Sequence, residues 1–177
     1  SAKTVEVDYG TNNDSASSRN DDYSGKSGTL TFNPGQTSKT ISVPVSGDTT
    51  DEPRERFQVN LSNASKASIS DSRGYGTIND NDSAPSLSIN NQSLTEGDSG
   101  SKNLTFTVSL SQASAKTVEV DYGTNNDSAS SGSDYSGKSG TLTFNPGQTR
   151  KTISVPVSGD TTDELNERFQ VNLSNAS

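Results

Sequence analysis

The stretch TVEVDYGTNNDSASSGSDYSGKSGTLTFNPGQTRKTISVPVSGD, residues 117–160, decides the fold. Apolar side chains recur in it at every second position, in three runs: Val118, Val120 and Tyr122; Leu142 and Phe144; Ile153, Val155 and Val157. Alternate residues of an extended strand point to the same face of a sheet. Each run therefore predicts a strand with one buried face, and no window of the chain shows the helical period of 3.6 residues.

The same alternation continues on both sides of this stretch. Leu87 with Ile89 and the run from Leu104 to Leu110 precede it, and the run from Phe169 to Leu173 follows it. Ile69 and Ile78 predict a further hairpin with its turn at residues 72–74. About seven short strands per repeat, separated by turns, are typical of an antiparallel β-sandwich. Pro44 and Pro156 predict edge strands or bulges, because proline cannot donate a hydrogen bond to a neighbouring strand.

Composition excludes most catalytic chemistry. The 177 residues contain no His, Cys, Met or Trp, and 25% of them are hydrophobic. A Ser-His-Asp or Cys-His system, a thiolate zinc site and a disulfide are therefore impossible within this sequence. Hard cations bound by oxygen ligands are the metal class that remains. Each domain has few hydrophobic residues for its core and no disulfide, so we expect another stabilising interaction, such as a bound metal ion.

Charge and hydropathy narrow the class of partner. Twenty-two acidic and 14 basic residues give a net charge of −8, which argues against nucleic acid and favours cations. No apolar run approaches 18 residues, so we expect no membrane insertion. Any export signal would have to lie outside this fragment.

The chain is internally repeated. Residues 1–18 are identical to residues 114–131, and residues 22–65 match residues 134–177 except at Ser38, Pro53 and Arg54. An offset of 113 and then 112 residues is the size of a whole domain. The sequence therefore predicts a slice of a tandem domain array.

The polar segment Asn79–Pro85 is the predicted junction between two domains. We expect residues 1–82 to form a first domain that lacks its first strand or strands, and residues 83–177 a second domain that lacks its final hairpin. Either the fragment belongs to a longer array, or neighbouring chains complete each other's sheets by strand addition. An unpaired sandwich edge promotes aggregation, which favours the second option to some extent.

The succession from Thr117 to Ser177 resembles the Calx-β domain, a module of sodium/calcium exchangers, integrin β4 and many bacterial surface proteins. The specific parts are Ser133-Asp134-Tyr135, GTLTFNPGQT at 140–149, TINDND at 77–82, and the acids that precede Phe169. The resemblance covers essentially the whole chain. It implies a seven-stranded immunoglobulin-like sandwich that, in some members, binds several Ca²⁺ ions at one end.

The resemblance also implies a set of calcium ligands. In the second repeat they are Glu96, Asp134, Asp160, Glu164 and Glu167, and in the first Asp22, Asp48, Glu52, Glu55, Asp80 and Asp82. Gly47 and Gly159 stand where exchanger-type sites have one of two consecutive aspartates, and Asn81 interrupts the last group of acids. With fewer carboxylates, we expect fewer ions or weaker sites.

Calcium chemistry supports the same interpretation without the family. Calcium takes six to eight oxygen ligands, which loops at one end of a sandwich can supply together. Without a cation, these acids would repel each other and raise their pKa values. The alternative is a solvated set of acids that pair with Arg54, Arg56 or Arg168 and serve solubility alone.

Two other kinds of site have weaker support in the sequence. Glu164 and Glu167 are paired carboxylates of the kind that glycosidases use, but no cleft is predicted around them. NDNDSAP resembles the calcium-binding linker of cadherins, without any other cadherin motif. We expect a non-enzymatic, calcium-binding structural module of a long extracellular or cell-surface protein, bacterial in type, with neighbouring repeats or other copies of itself as partners. An adhesin repeat and a spacer of a secreted enzyme are the alternatives.

Overall fold

The computed structural model describes residues 3–177, and within them the chain is all-β with antiparallel pairing throughout its sheets. Ser1 and Ala2, the start of the first predicted strand, lie outside the described residues. The prediction of an all-β chain is confirmed. No helix long and apolar enough to cross a membrane occurs in the described part. The strands are β1 (Val5–Asn13), β2 (Ser27–Phe32), β3 (Glu55–Ser65), β4 (Arg73–Ile78), β5 (Leu87–Ile89), β6 (Ser101–Leu110), β7 (Val118–Asn126), β8 (Ser139–Phe144), β9 (Arg150–Ser158) and β10 (Phe169–Ser174).

The chain divides into two compact units. Unit 1 comprises Ser1–Thr49 and Pro53–Asn81, and unit 2 comprises Thr50–Glu52 and Asp82–Ser177. The predicted domains 1–82 and 83–177, with their missing strands, concern a longer array and stay a prediction.

Unit 2 has two three-stranded sheets with a shared apolar core. Their strand orders are β10-β7-β8 and β5-β6-β9. The inward residues are those that the alternation predicts, because a strand with one buried face repeats every two residues. The most completely buried large side chains are Val108, Val120, Tyr135, Phe144, Ile153 and Val155.

Unit 1 has a single sheet with the order β2-β1-β3-β4. Its buried cluster consists of Ala16, Tyr23 and Phe57, against which Val59 and Ile78 pack. The ring of Tyr23 stacks on that of Phe57 at 4.4 Å between centroids. This core is smaller than that of unit 2.

Identical sequences adopt different structures in the two units. The residues KTISVPVS belong to β9 at 151–158, but at 39–46 they form no strand apart from an isolated bridge between Val45 and Tyr23. Strand β9 pairs along its whole length with β6, and unit 1 has no strand with the sequence of β6. Whether KTISVPVS forms a strand thus depends on a pairing partner and not on its local propensity. Pro156 lies in an edge strand, as its chemistry predicts.

The prediction of a hairpin between Ile69 and Ile78 with its turn at residues 72–74 is wrong. Strand β4 begins at Arg73 and pairs with β3, whereas Ile69 lies in the connecting loop. The β3 pairing places Gly76 opposite Phe57 and lets Ile78 pack against the buried cluster. A partner strand at Ile69 would offer no such aromatic surface.

Candidate metal centre

Two hydrogen bonds hold Asp134 in the loop between β7 and β8. Its carboxylate accepts a hydrogen bond of 2.7 Å from the Ser130 N–H, and its backbone carbonyl accepts one of 2.8 Å from Ser158. The next residue, Tyr135, is buried and stacks on Phe169 at 4.2 Å. The Ser130 N–H, and after it the Ser133 hydroxyl, lower the pKa of Asp134, so this carboxyl is ionised at neutral pH.

The first repeat builds the same loop around Asp22. The Asp22 carboxylate accepts a hydrogen bond of 2.7 Å from the Ser17 N–H, and the adjoining Tyr23 is buried on Phe57. Both tyrosines donate their hydroxyl at 2.6 Å to an asparagine, Asn13 in one copy and Asn126 in the other. The local sequence therefore fixes the aspartate in the same way twice.

Three predicted acids of the second repeat meet at one place. Asp134, Glu164 and Glu167 offer carboxylate oxygens that all lie within 4.8 Å of one another. Calcium–oxygen distances are about 2.3–2.6 Å, so two ligands on opposite sides of one ion are about 5 Å apart. The oxygens are thus close enough to share a single cation. Glu164 and Glu167 are exposed, whereas Asp134 is half-buried.

The acids of the second repeat also repel one another electrostatically. The pKa of Glu164 is raised, first by desolvation and then by the charges of Asp160, Asp134 and Glu96. Desolvation, a hydrogen bond with Asp134 and the charges of Asp134, Glu164 and Glu96 likewise raise the pKa of Glu167. All five predicted acids of this repeat therefore contribute to the electrostatic repulsion around Glu164 and Glu167. A divalent cation bound there would relieve it.

The predicted acids of the first repeat are divided between the units. Asp22 and Glu55 of unit 1 are both half-buried, and their carboxylate oxygens lie within 4.8 Å of each other. Among the described residues of unit 1, Asp48 and Asp80 do not join these two acids. Glu52 and Asp82 belong to unit 2. Within a single unit, and for the part of the chain that the structure describes, a group of three acids is therefore complete only in the second repeat.

Gly159 brings a second loop to the acids of the second repeat. A Cβ atom at Gly159 would lie 2.5 Å from the carbonyl oxygen of Gly97, and the Gly159 N–H donates to the Gly100 carbonyl at 2.9 Å. The loop that carries Glu96 therefore packs directly on the loop that carries Asp160. An aspartate could not replace Gly159 without moving Gly97.

Two of the arginines form ion pairs with aspartates outside the predicted set of ligands. Arg168 forms an ion pair with Asp127, and Arg56 forms the equivalent pair with Asp14. Neither these aspartates nor the serines that orient Asp134 were predicted from the sequence. Their position in a short Ser-rich segment directly before Asp-Tyr is the feature that would have indicated them.

The comparison with protein families gives the class of this chain. The model of the Calx-beta domain matches residues 1–76 and 80–177, so the chain belongs to the Calx-beta domain family. That part of the predicted resemblance is confirmed, whereas its bacterial surface type stays a prediction.

Two groups of relatives are similar over part of their length. Sodium/calcium exchanger 3 of Homo sapiens is 44% identical over 61 residues, and sodium/calcium exchanger 1 of Canis lupus familiaris is 46% identical over 59. These matches cover 34% and 33% of this chain, but only 7% and 6% of the exchangers.

Two solved structures match nearly the whole chain, but at lower sequence identity than the exchangers. The calcium binding domain CBD12 of CALX1.1 is 26% identical, with 99% of this chain and 68% of that chain covered and a TM-score of 0.45. CBD12 of CALX1.2 is also 26% identical, with 99% and 69% covered and a TM-score of 0.46.

Proposed function

We propose that this chain is a non-enzymatic, calcium-binding structural module of an extracellular or cell-surface repeat protein. The observation that carries the proposal is the convergence of Asp134, Glu164 and Glu167, whose oxygens lie within 4.8 Å of one another. Membership of the Calx-beta family and the similarity to exchangers named for calcium support the choice of cation.

The chemistry of the ligands favours calcium over other metals. Carboxylate oxygens are hard ligands, and the sequence contains no His or Cys that would hold softer ions. Extracellular modules bind calcium with dissociation constants of about 0.1–1 mM, which suits an exposed site with few acids. At a calcium concentration ten times the dissociation constant, each bound ion raises the free energy of unfolding of its unit by about 1.4 kcal/mol.

Calcium then has a mechanical role in a tandem array. The Glu96 loop, the Asp134 loop and the segment before Phe169 are separate in sequence, and an ion bound to all three restrains their relative motion. Repeats stiffened in this way form a rod or filament, with neighbouring repeats as partners. The net charge of −8 disfavours nucleic acid as a partner.

Thermal unfolding of the chain tests the proposal. We expect the melting temperature to rise by several degrees in calcium at a few times its dissociation constant, and to return to its starting value with a chelator. Magnesium at the same concentration is the control, because it demands a smaller octahedral site and dehydrates reluctantly. A melting curve that calcium leaves unchanged would contradict the proposal. Small-angle scattering of a longer array should show a calcium-dependent elongated shape.

A further inference from the structure

Asn126 links the end of strand β7 to the loop that carries Asp134. It is the last residue of β7, where it lies opposite Phe169 of β10. Its side-chain oxygen accepts a hydrogen bond of 2.6 Å from the Tyr135 hydroxyl and one of 2.9 Å from the Ser131 N–H. The two donors lie on either side of Asp134 in the sequence. One amide oxygen therefore restrains both ends of the segment that presents this carboxylate.

The Tyr135 hydroxyl belongs to a ring that packing already confines. Tyr135 is 1% exposed, and its ring stacks on Phe169 at 4.2 Å between centroids. A buried hydroxyl that lacks a hydrogen-bond partner is costly, so the bond to Asn126 helps to fix where this ring lies. Asp134 directly precedes Tyr135 in the chain, and the contact consequently places the Asp134 backbone as well.

Ser131 extends the restraint to the Asp134 carboxylate. The Ser130 N–H donates to this carboxylate at 2.7 Å, and the next N–H along the chain, that of Ser131, donates to Asn126. Successive amide groups are thus bound by two different side-chain oxygens. Without Asn126, the backbone that carries the Ser130 donor would lose this anchor.

The first repeat keeps the same network although its loop is one residue longer. Asn13 accepts hydrogen bonds of 2.6 Å from the Tyr23 hydroxyl and 3.1 Å from the Ser18 N–H. The Asp22 carboxylate again accepts a bond of 2.7 Å, from the Ser17 N–H. The residues in between differ, and they are Arg19-Asn20-Asp21 in the first copy and Gly132-Ser133 in the second. The position of the aspartate therefore follows the asparagine and the tyrosine and not the length of the loop.

We propose that Asn126 is a positioning residue for calcium binding in the second repeat. Its oxygen already accepts two hydrogen bonds, so it acts on the ion through Asp134 and not as a ligand. It holds the Asp134 carboxylate where the oxygens of Glu164 and Glu167 lie within 4.8 Å. This inference rests on the proposed calcium binding.

Calorimetric calcium titration of the 177-residue chain and of its Asn126→Ala variant tests the proposal. We expect the variant to bind calcium roughly tenfold more weakly, or worse, as is usual when a group that orients a metal ligand is removed. Asn125→Ala is the matched control. Asn125 is the preceding residue of the same strand, is exposed, and points its side chain to the other face of the sheet. This control should bind calcium as the wild type does.

Tyr135→Phe is a milder variant that removes only the hydroxyl and keeps the stacked ring. It should weaken calcium binding by a smaller factor than Asn126→Ala, because the hydrogen bond from Ser131 remains. The double variant should bind no more weakly than Asn126→Ala alone, since both changes break the same contact. Losses that add in full in the double variant would contradict the proposal.

Amide hydrogen exchange in chelator distinguishes positioning from a general loss of stability. In Asn126→Ala the Ser130 amide should exchange roughly tenfold faster, while the amides between β6 and β9 keep their protection. Unchanged exchange at Ser130, an equal loss of protection throughout unit 2, or wild-type calcium affinity in the variant would each overturn the proposal. A wild-type chain that binds no calcium would instead contradict the proposed function, and exchange at Ser130 would still report whether Asn126 holds the loop.

Discussion

The carboxylate oxygens of Asp134 and Glu167 lie within 4.8 Å of each other, close enough for one cation to interact with both. The pKa of Asp134 is lowered and that of Glu167 is raised, so Glu167 is the more basic partner. At a pH where Glu167 is protonated, a calcium ion bound by both residues displaces its proton. Proton and cation therefore compete for the same oxygens.

Calcium affinity should depend on pH for this reason. The pKa values of Glu164 and Glu167 are raised above the ordinary 4.5, so calcium binding at about pH 5 should release protons, and the affinity should rise with pH through this range. Calorimetric titration in two buffers of different ionisation enthalpy measures the released protons. Binding without any proton release at that pH would show that these two glutamates are not ligands.

The stability of the calcium-free chain should also depend on pH. A raised carboxyl pKa contributes stability that is present below the unfolded value of about 4.5 and is lost as pH rises through the folded value. Asp134 acts in the opposite sense, because its pKa is lowered from 3.8 and its contribution disappears in more acidic solution. Chelator should therefore destabilise unit 2 more at pH 7 than at about pH 5. Equal effects at the two pH values would contradict this prediction.

Gly159→Ala should weaken the site in unit 2, whereas Gly47→Ala should not change unit 1. A Cβ atom at position 159 would lie 2.5 Å from the Gly97 oxygen, while nothing lies within 4 Å of a Cβ at position 47. Forcing the two loops apart costs on the order of 1–3 kcal/mol, and it moves Glu96 away from the other acids. Thermal unfolding with and without calcium measures both effects. Identical behaviour of the two variants would argue against the close packing of these loops.

Asp51→Asn should destabilise unit 2. The Asp51 carboxylate is 7% exposed and accepts hydrogen bonds of 2.6 Å from Lys116 and 2.8 Å from Ser114. Those donors, Lys116 first, lower its pKa, so its contribution is present at neutral pH and is lost as pH falls below 3.8. We expect the melting temperature to fall by several degrees at pH 7 and much less in acid. Asp163→Asn is the control, because Asp163 occupies the same position in the second copy and is exposed.

Hydrogen exchange should distinguish the two copies of KTISVPVS. The amides of β9 that face β6 should exchange slowly, because β9 pairs with β6 from Arg150 to Ser158. The amides of residues 39–43 should exchange quickly, since unit 1 forms no strand there. Equal protection of the two segments would mean that unit 1 acquires a pairing partner in solution.

The alternation of apolar residues was enough to predict the strands of unit 2. Val118, Val120 and Phe144 are buried in β7 and β8, as their spacing requires. The same alternation at Ile41 and Val43 forms no strand, because a strand there would depend on a partner that is distant in sequence. Local pattern specifies which face of a strand is buried, but not whether a neighbouring strand is present.

The candidate site was predictable in its chemistry but not in its arrangement. The absence of His and Cys and the recurrence of Asp and Glu before Phe169 indicated an oxygen-ligated cation. The sequence could not show that Glu96 lies near Glu164, because their loops meet through tertiary packing, with Gly159 against Gly97 and Gly100. Nor could it separate Asp51 from the predicted ligands, since its burial depends on Ser114 and Lys116.

We propose that Glu164 and Glu167, with Asp134, bind calcium. Calorimetric calcium titration of the wild-type chain and of the double variant Glu164→Gln, Glu167→Gln tests it most directly, with Asp163→Asn as a control that changes a nearby charge outside the group. We expect the double variant to lose one binding event, or to weaken it by roughly tenfold or more, and the Asp163 variant to bind as the wild type does. Wild-type calcium binding that the double variant retains unchanged, or no calcium binding by the wild type, would contradict the claim.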